Sequence, residues 1–193
     1  MNKLYSYLYK LLKPYKLHPL LDVILFVALT LIIHFSYRYW ATIQYFPLET
    51  VMNKLHDYLS DRVFNQSAWF IQHLLGMDVT TIGRTMYWPN QGYIGISHGC
   101  SGLKQILQIS LLLLIFPGPW KHKLWYIPMG MIIIHLTNLF RIIGLAEVLV
   151  YLPDYWKFSH DNFFRPFFYV VIFTLWVIWV EKFMKKQKIN LEK

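Results

Sequence analysis

The 193-residue chain has one cysteine, Cys100. A lone thiol cannot close an internal disulfide, so a disulfide-stapled scaffold is excluded. Membrane thiol–disulfide relays, which work with paired cysteines, are disfavoured for the same reason. No Cys and His residues cluster at zinc-ligand spacing. Charge is scarce too: 15% of residues are charged, against about a quarter in a soluble domain. Acidic groups are the scarcer sign, 10 against 19 Lys and Arg, for a formal net charge of +9. What fills the chain instead is apolar, with 56% hydrophobic and 19% aromatic residues. A soluble core of this length could not hide that much apolar surface. Disorder is excluded by the same numbers, because disordered chains are poor in aromatics. There are no internal repeats and no low-complexity linkers, and the length suits one domain, 1–193.

A nucleic-acid binder would show a basic stripe with stacking aromatics. Here Lys and Arg punctuate long apolar runs, the pattern of an all-α integral membrane protein. Four runs stand out, at about 20–40, 101–117, 124–150 and 163–181. A helix crosses the hydrocarbon with about 20 mostly apolar residues, so four transmembrane helices are expected. The first run is too long, and too poor in small residues at its end, for a cleaved signal peptide. Basic residues orient such helices. Lys3, Lys10, Lys13 and Lys16 precede the first run, Lys121 and Lys123 lie between the second and third, and Lys182, Lys185, Lys186, Lys188 and Lys193 follow the fourth. The pattern predicts cytoplasmic N and C termini, with segments 41–99 and 152–161 outside. Tyr37, Tyr39, Trp40, Trp88, Tyr155 and Trp156 would mark the outer interface, and Trp120, Trp125, Tyr126, Trp176 and Trp179 the inner one.

Residues 48–76 space Val51, Leu55, Leu59, Phe64, Ile71 and Leu75 by helical intervals with polar residues between. The spacing predicts an amphipathic helix at the outer surface, possible breaks included, with Gly76 as its cap. Residues 79–97 are enriched in Thr, Ile, Val and Tyr around the turn signal Pro89-Asn90-Gln91-Gly92. They predict a small β-hairpin that delivers Cys100 to the membrane surface.

Three places carry candidate chemistry. Cys100-Ser101-Gly102-Leu103-Lys104 lies where an outer loop turns into a helix. Unpaired N–H groups at a helix N-terminus favour a thiolate, as does a nearby lysine such as Lys104. On a helical wheel Cys100, Ser101, Lys104, Gln105 and Gln108 fall within roughly a 140° arc. His135, Asn138 and Arg141 follow on the third run, where an arginine at the membrane centre costs about 2.5–3.5 kcal/mol. Ser159-His160-Asp161-Asn162 comes just before the fourth run. Each has a plain structural reading: a buried cysteine, a snorkelling arginine, a solvated loop histidine. The predicted topology, however, puts Cys100, Arg141 and His160 on one face of the membrane. A Cys and a His meeting there are a nucleophile and a proton acceptor, and an adjacent Arg holds a carbonyl or its developing oxyanion. Asp161 would orient His160.

Cys100-Ser101-Gly102 after a short outer hairpin, Asn138-Leu139-Phe140-Arg141-Ile142 on the next span and His160 before the last resemble the exosortase/archaeosortase family, over roughly residues 85–180. These are integral-membrane cysteine enzymes. The resemblance implies a protease or transpeptidase with Cys100 as nucleophile, Arg141 as electrostatic stabiliser and His160 as general acid/base, with no cofactor or metal. It implies as substrates exported proteins that end in a short motif, a hydrophobic helix and a basic tip. Membrane lipid surrounds such an enzyme, and a lipid or glycan is a candidate acceptor. The site would face outward from the cell (inner) membrane. The chain is shorter than many members and has Lys104 where many carry Arg or Gln. Rival classes are a non-catalytic membrane scaffold or assembly protein, a small transporter using His135, and a Cys/His membrane acyltransferase.

Overall fold

The computed structural model describes Tyr7 and residues 18–184, which are mostly helical. The basic terminal segments behind the orientation argument lie outside these residues, apart from Lys182. The elements are α1 (His18–Thr42), α2 (Glu49–His73), β1 (Thr80–Ile82), β2 (Thr85–Trp88), β3 (Gly92–Gly95), α3 (Leu103–Ile115), α4 (Trp120–Tyr151) and α5 (Arg165–Trp179). Short 3-10, α and π turns run from Pro153 into α5 and on to Met184. Among the described residues, three helices are long and apolar enough to cross a membrane: Leu20–Thr42, Trp120–Tyr151 and Pro153–Met184.

The second expected span, 101–117, is the exception. α3 has 13 residues and reaches about 20 Å, short of the roughly 30 Å hydrocarbon. Both ends have a physical cause. Gly102 sits at φ +78, a left-handed conformation that cannot continue a helix. At the other end Pro117-Gly118-Pro119 stops the chain. The buried Lys123 then donates to Leu114 O and Phe116 O, each at 2.7 Å, satisfying carbonyls the helix end leaves open. The segment 152–161, expected as an outer loop, is instead coiled into helical turns, with a π-helical stretch over Ser159–Phe164.

α2 is unbroken across its 25 residues and buries Met52, His56, Ser60, Val63, Phe64, Ser67, Ala68 and Ile71. Their three- and four-residue spacing is one helical face. Gly76 at φ +64 turns the chain so that the Met77 N–H returns to Ile71 O at 3.1 Å. The expected hairpin is a three-stranded antiparallel meander in the order β1-β2-β3. Gly83 at φ +57 makes the additional tight turn, pairing Ile82 with Thr85. Across the second turn Trp88 pairs with Gly92 and Met86 with Ile94.

The described residues form two compact units. One takes the chain up to Phe46, Leu107–Met131 and the part from Phe173 on. Its interior is aromatic: Phe26, Phe116, Tyr126, Trp176 and Trp179 are buried, and the Tyr126 hydroxyl donates to Leu175 O at 2.8 Å. The other takes Pro47–Ile106 and Ile132–Ile172. Its core joins Val63, Phe64, Ala68 and Ile71 of α2, Met86, Trp88 and Ile94 of the sheet, Ile96 just after β3, Ile142, Leu145 and Ala146 of α4, and Phe164. Cys100 and Trp156 pack against this cluster.

α4 approaches Phe164 closely at Gly144, where an added Cβ would stand 2.6 Å from the ring. Gly144→Ala is therefore expected to cost about 1–3 kcal/mol by overpacking, read as a lower apparent melting temperature of the detergent-solubilised protein. Gly130→Ala, whose methyl would meet its nearest neighbour at an ordinary 3.5 Å, leaves that temperature unchanged.

Candidate active site

β3 feeds directly into the cysteine. The Ile96 N–H closes the ladder on Arg84 O at 2.9 Å, and the chain then makes one 3-10 turn, His98–Cys100. The Cys100 N–H bonds Ser97 O at 2.8 Å and the Ser101 N–H bonds His98 O at 3.2 Å. Cys100 and Ser101 thus stand before α3, not on its polar stripe. The Ser101 hydroxyl caps the helix instead, accepting the Leu103 N–H at 3.3 Å.

Two residues of α4, one turn apart, meet this cysteine. Asn138, fully buried, donates to Cys100 O at 2.7 Å. Arg141, 8% exposed, places Nη2 at 3.6 Å from Cys100 Sγ, and its guanidinium lies 6.0 Å from the centre of the Phe168 ring. The Ser97 hydroxyl is 3.9 Å from the same sulfur. Cys100 itself is partly exposed. Arg141 Nε and Asn138 Oδ1 are buried without a hydrogen-bond partner. Leaving a buried polar atom unpaired costs about 1–3 kcal/mol. Chemically, the arrangement is a partly exposed thiol beside a fixed guanidinium with one unpartnered nitrogen.

His160 lies on the π-helical stretch before α5, a distortion often found at functional sites. Its Nδ1 donates to Asp161 Oδ1 at 2.9 Å, and its ring stacks on Trp156 at 5.1 Å. In the neutral ring this pairing leaves Nε2 as the acceptor nitrogen. Arg165 Nη1 reaches the same carboxylate oxygen at 3.1 Å. The structure therefore joins Cys100 directly to Asn138 and Arg141, and joins His160 to Asp161 and Trp156. No hydrogen bond links His160 to Cys100 among the described residues. Lys104 is half-buried in the first turn of α3. His135 donates to Gln66 Oε1 at 2.7 Å.

Several participants were not foreseen. His98 Nε2 donates to Asp57 Oδ1 at 2.9 Å. Arg84 donates to Asp57 at 2.9 Å and to both carboxylate oxygens of Asp61, at 2.6 and 3.1 Å. The His98 hydrogen bond, followed by that from Arg84, holds the Asp57 carboxyl below its ordinary range. Asp61 and Asp57 in turn raise the Arg84 guanidinium. His56 Nδ1 lies 2.9 Å from Ser101 Oγ. Asp57 and Asp61 share a face of α2 at a four-residue spacing, the one signal for a shared cationic partner. Read alone, they are a solvated face.

Residues 10–180 match the family model of the transmembrane exosortase (Exosortase_EpsH). No curated protein and no solved structure matches the chain.

Removing the Asn138 side chain would take away the donor that holds Cys100 O. Asn138→Ala is expected to cost about 1–3 kcal/mol, measured as a fall in the apparent melting temperature in detergent. An unchanged temperature would show that α4 does not hold the cysteine turn.

Proposed function

The chain belongs to the transmembrane exosortase family, and on that premise we propose that it is a membrane-embedded cysteine peptidase or transpeptidase. Its substrates are exported proteins with a C-terminal tail of short motif, hydrophobic helix and basic end. The observation that supports this reading most is the 3.6 Å approach of Arg141 Nη2 to Cys100 Sγ, with Arg141 Nε buried and unpartnered.

The substrate's hydrophobic tail lies in the lipid beside the enzyme and brings its motif to the outer face of the cell (inner) membrane. Such orientation is worth several kcal/mol of barrier, up to about 7–11 in well-aligned cases. Cys100 passes its thiol proton to His160 Nε2 and Sγ attacks the scissile carbonyl, forming a C–S bond while the carbonyl oxygen takes the electron pair. Arg141 donates to that oxyanion. As the C–N bond breaks, His160 gives a proton to the departing amine, leaving an acyl thioester on Cys100. Asp161 holds His160 in the tautomer that does this. An incoming amine or hydroxyl, from a lipid, glycan or peptide acceptor, then loses its proton to His160 and displaces the sulfur. Water in its place gives hydrolysis. All the groups these steps use are side chains.

The test follows an exported reporter carrying such a tail by its gel mobility in cells expressing the chain. Cys100→Ala abolishes processing. Arg141→Leu lowers it by about 10²-fold or more, the usual loss for an oxyanion donor, and His160→Ala by a comparable factor, while both variants still accumulate in the membrane. Normal processing by Cys100→Ala would instead favour a non-catalytic scaffold.

A further inference from the structure

Two neighbouring residues of α2 grip the cysteine turn on either side of Cys100. Before it stands His98, whose Nε2 donates to Asp57 Oδ1 at 2.9 Å. After it stands Ser101, 1% exposed, whose Oγ lies 2.9 Å from His56 Nδ1. The His56 and His98 rings stack at 5.1 Å and 16°. Arg84 fixes the Asp57 end by bridging it to Asp61.

The hydroxyl has one proton, which settles the direction of each bond. Ser101 Oγ lies 2.7 Å from His98 O, and a carbonyl only accepts, so the proton is used there. Toward Leu103 N–H and His56 Nδ1 the oxygen can only accept. His56, 4% exposed, therefore carries its hydrogen on Nδ1. A mere filler at this buried position would need no donor, yet this side chain supplies one to the residue beside the nucleophile.

We propose that His56 and Asp57 are positioning residues that hold the Cys100 turn from α2, keeping Sγ in register with Arg141. The proposal rests on the cysteine mechanism above. α4 anchors the same turn through Asn138, so the sulfur is held from two helices. The neutral ring already carries the Nδ1–H that Ser101 Oγ accepts. Burial pushes the His56 imidazole below its ordinary value and the stacked His98 pushes the same way, against a bond to the His98 backbone and the Asp57 charge. A buried histidine lowered in this way contributes folding stability that is full above the ordinary value of about 6.5 and is lost as pH falls from there. The charged and titratable groups facing the ring are His98 and, beyond it, Asp57 with its partner Arg84.

The experiment uses the full chain in detergent or membranes and the tailed reporter. Ser101→Ala and His56→Leu are expected to lower kcat at least about tenfold with KM within about twofold, since a misplaced reacting atom costs rate and not binding. His56→Asn, whose amide N–H can occupy the Nδ1 position, keeps most of kcat. Wild-type kcat in Ser101→Ala and His56→Leu, an effect carried by KM, or a kcat in His56→Asn as low as in His56→Leu would each overturn the proposal. If His56→Leu fails to accumulate, Asp57→Ala, which removes the acceptor of His98 at a half-exposed position, decides in the same way. A second readout is independent of substrate: the rate at which iodoacetamide alkylates Cys100 rises several-fold in Ser101→Ala if the turn is released, and stays unchanged if the proposal is wrong. Processing by Cys100→Ala would sink the cysteine mechanism, and the alkylation rate would still report whether α2 holds the turn.

Discussion

A fully buried amide, Asn138 Nδ2, holds the backbone carbonyl of Cys100 at 2.7 Å. That bond ties the only thiol in the chain to a long apolar helix. Gly102 is the reason the approach is possible: a side chain there would begin 3.0 Å from the Asn138 amide and sit at an unfavourable φ of +78. With the carbonyl fixed, Arg141 one turn further along α4 comes to 3.6 Å from the sulfur. A guanidinium placed there has been taken from water or interface at a cost, and its Nε has no partner. Reactive geometry and stored cost share one place because a single helix carries both side chains.

α2 gives the same turn its other support. Its polarity makes sense only in that light. Met52, Val63, Phe64 and Ile71 build the apolar face, while His56 and Ser60, buried on that face, point hydrogen-bonding groups at the cysteine turn: His56 meets Ser101, and the Ser60 hydroxyl lies 3.4 Å from Ser97 O. Asp57 and Asp61 reach Arg84 of the turn between β1 and β2. These pairs are half-exposed and contribute modestly as single contacts. As a network they align sheet and helix. The short meander is therefore less a decoration than a lever, with β3 carrying its alignment directly into Cys100.

His160 belongs to the same compact unit, and its stacking partner Trp156 packs on the core that also receives Cys100. The π-helical stretch, followed by the close packing of Phe164 on Gly144, sets where this histidine stands. Its Nδ1 is occupied by Asp161, so its chemistry is confined to Nε2.

Length and composition alone showed a membrane protein, because nothing else accommodates so much apolar surface with so little charge. Spacing located α2, and polar residues inside an apolar run singled out Asn138 and Arg141. A unique cysteine beside a turn singled out Cys100. These signals are local, since each depends on residues within a few turns of one another. The structure decided what is not local. Whether 101–117 is a span depended on a left-handed glycine and on Lys123 closing the far end of α3, and both truncate a run that composition shows as continuous. The third strand depended on the backbone sign at Gly83. The links among Asp57, Arg84, His98, His56 and Ser101 join residues up to 45 positions apart, and such pairing leaves no periodic trace in a sequence. It exists only once α2 and the cysteine turn have been brought together by burial of their apolar sides.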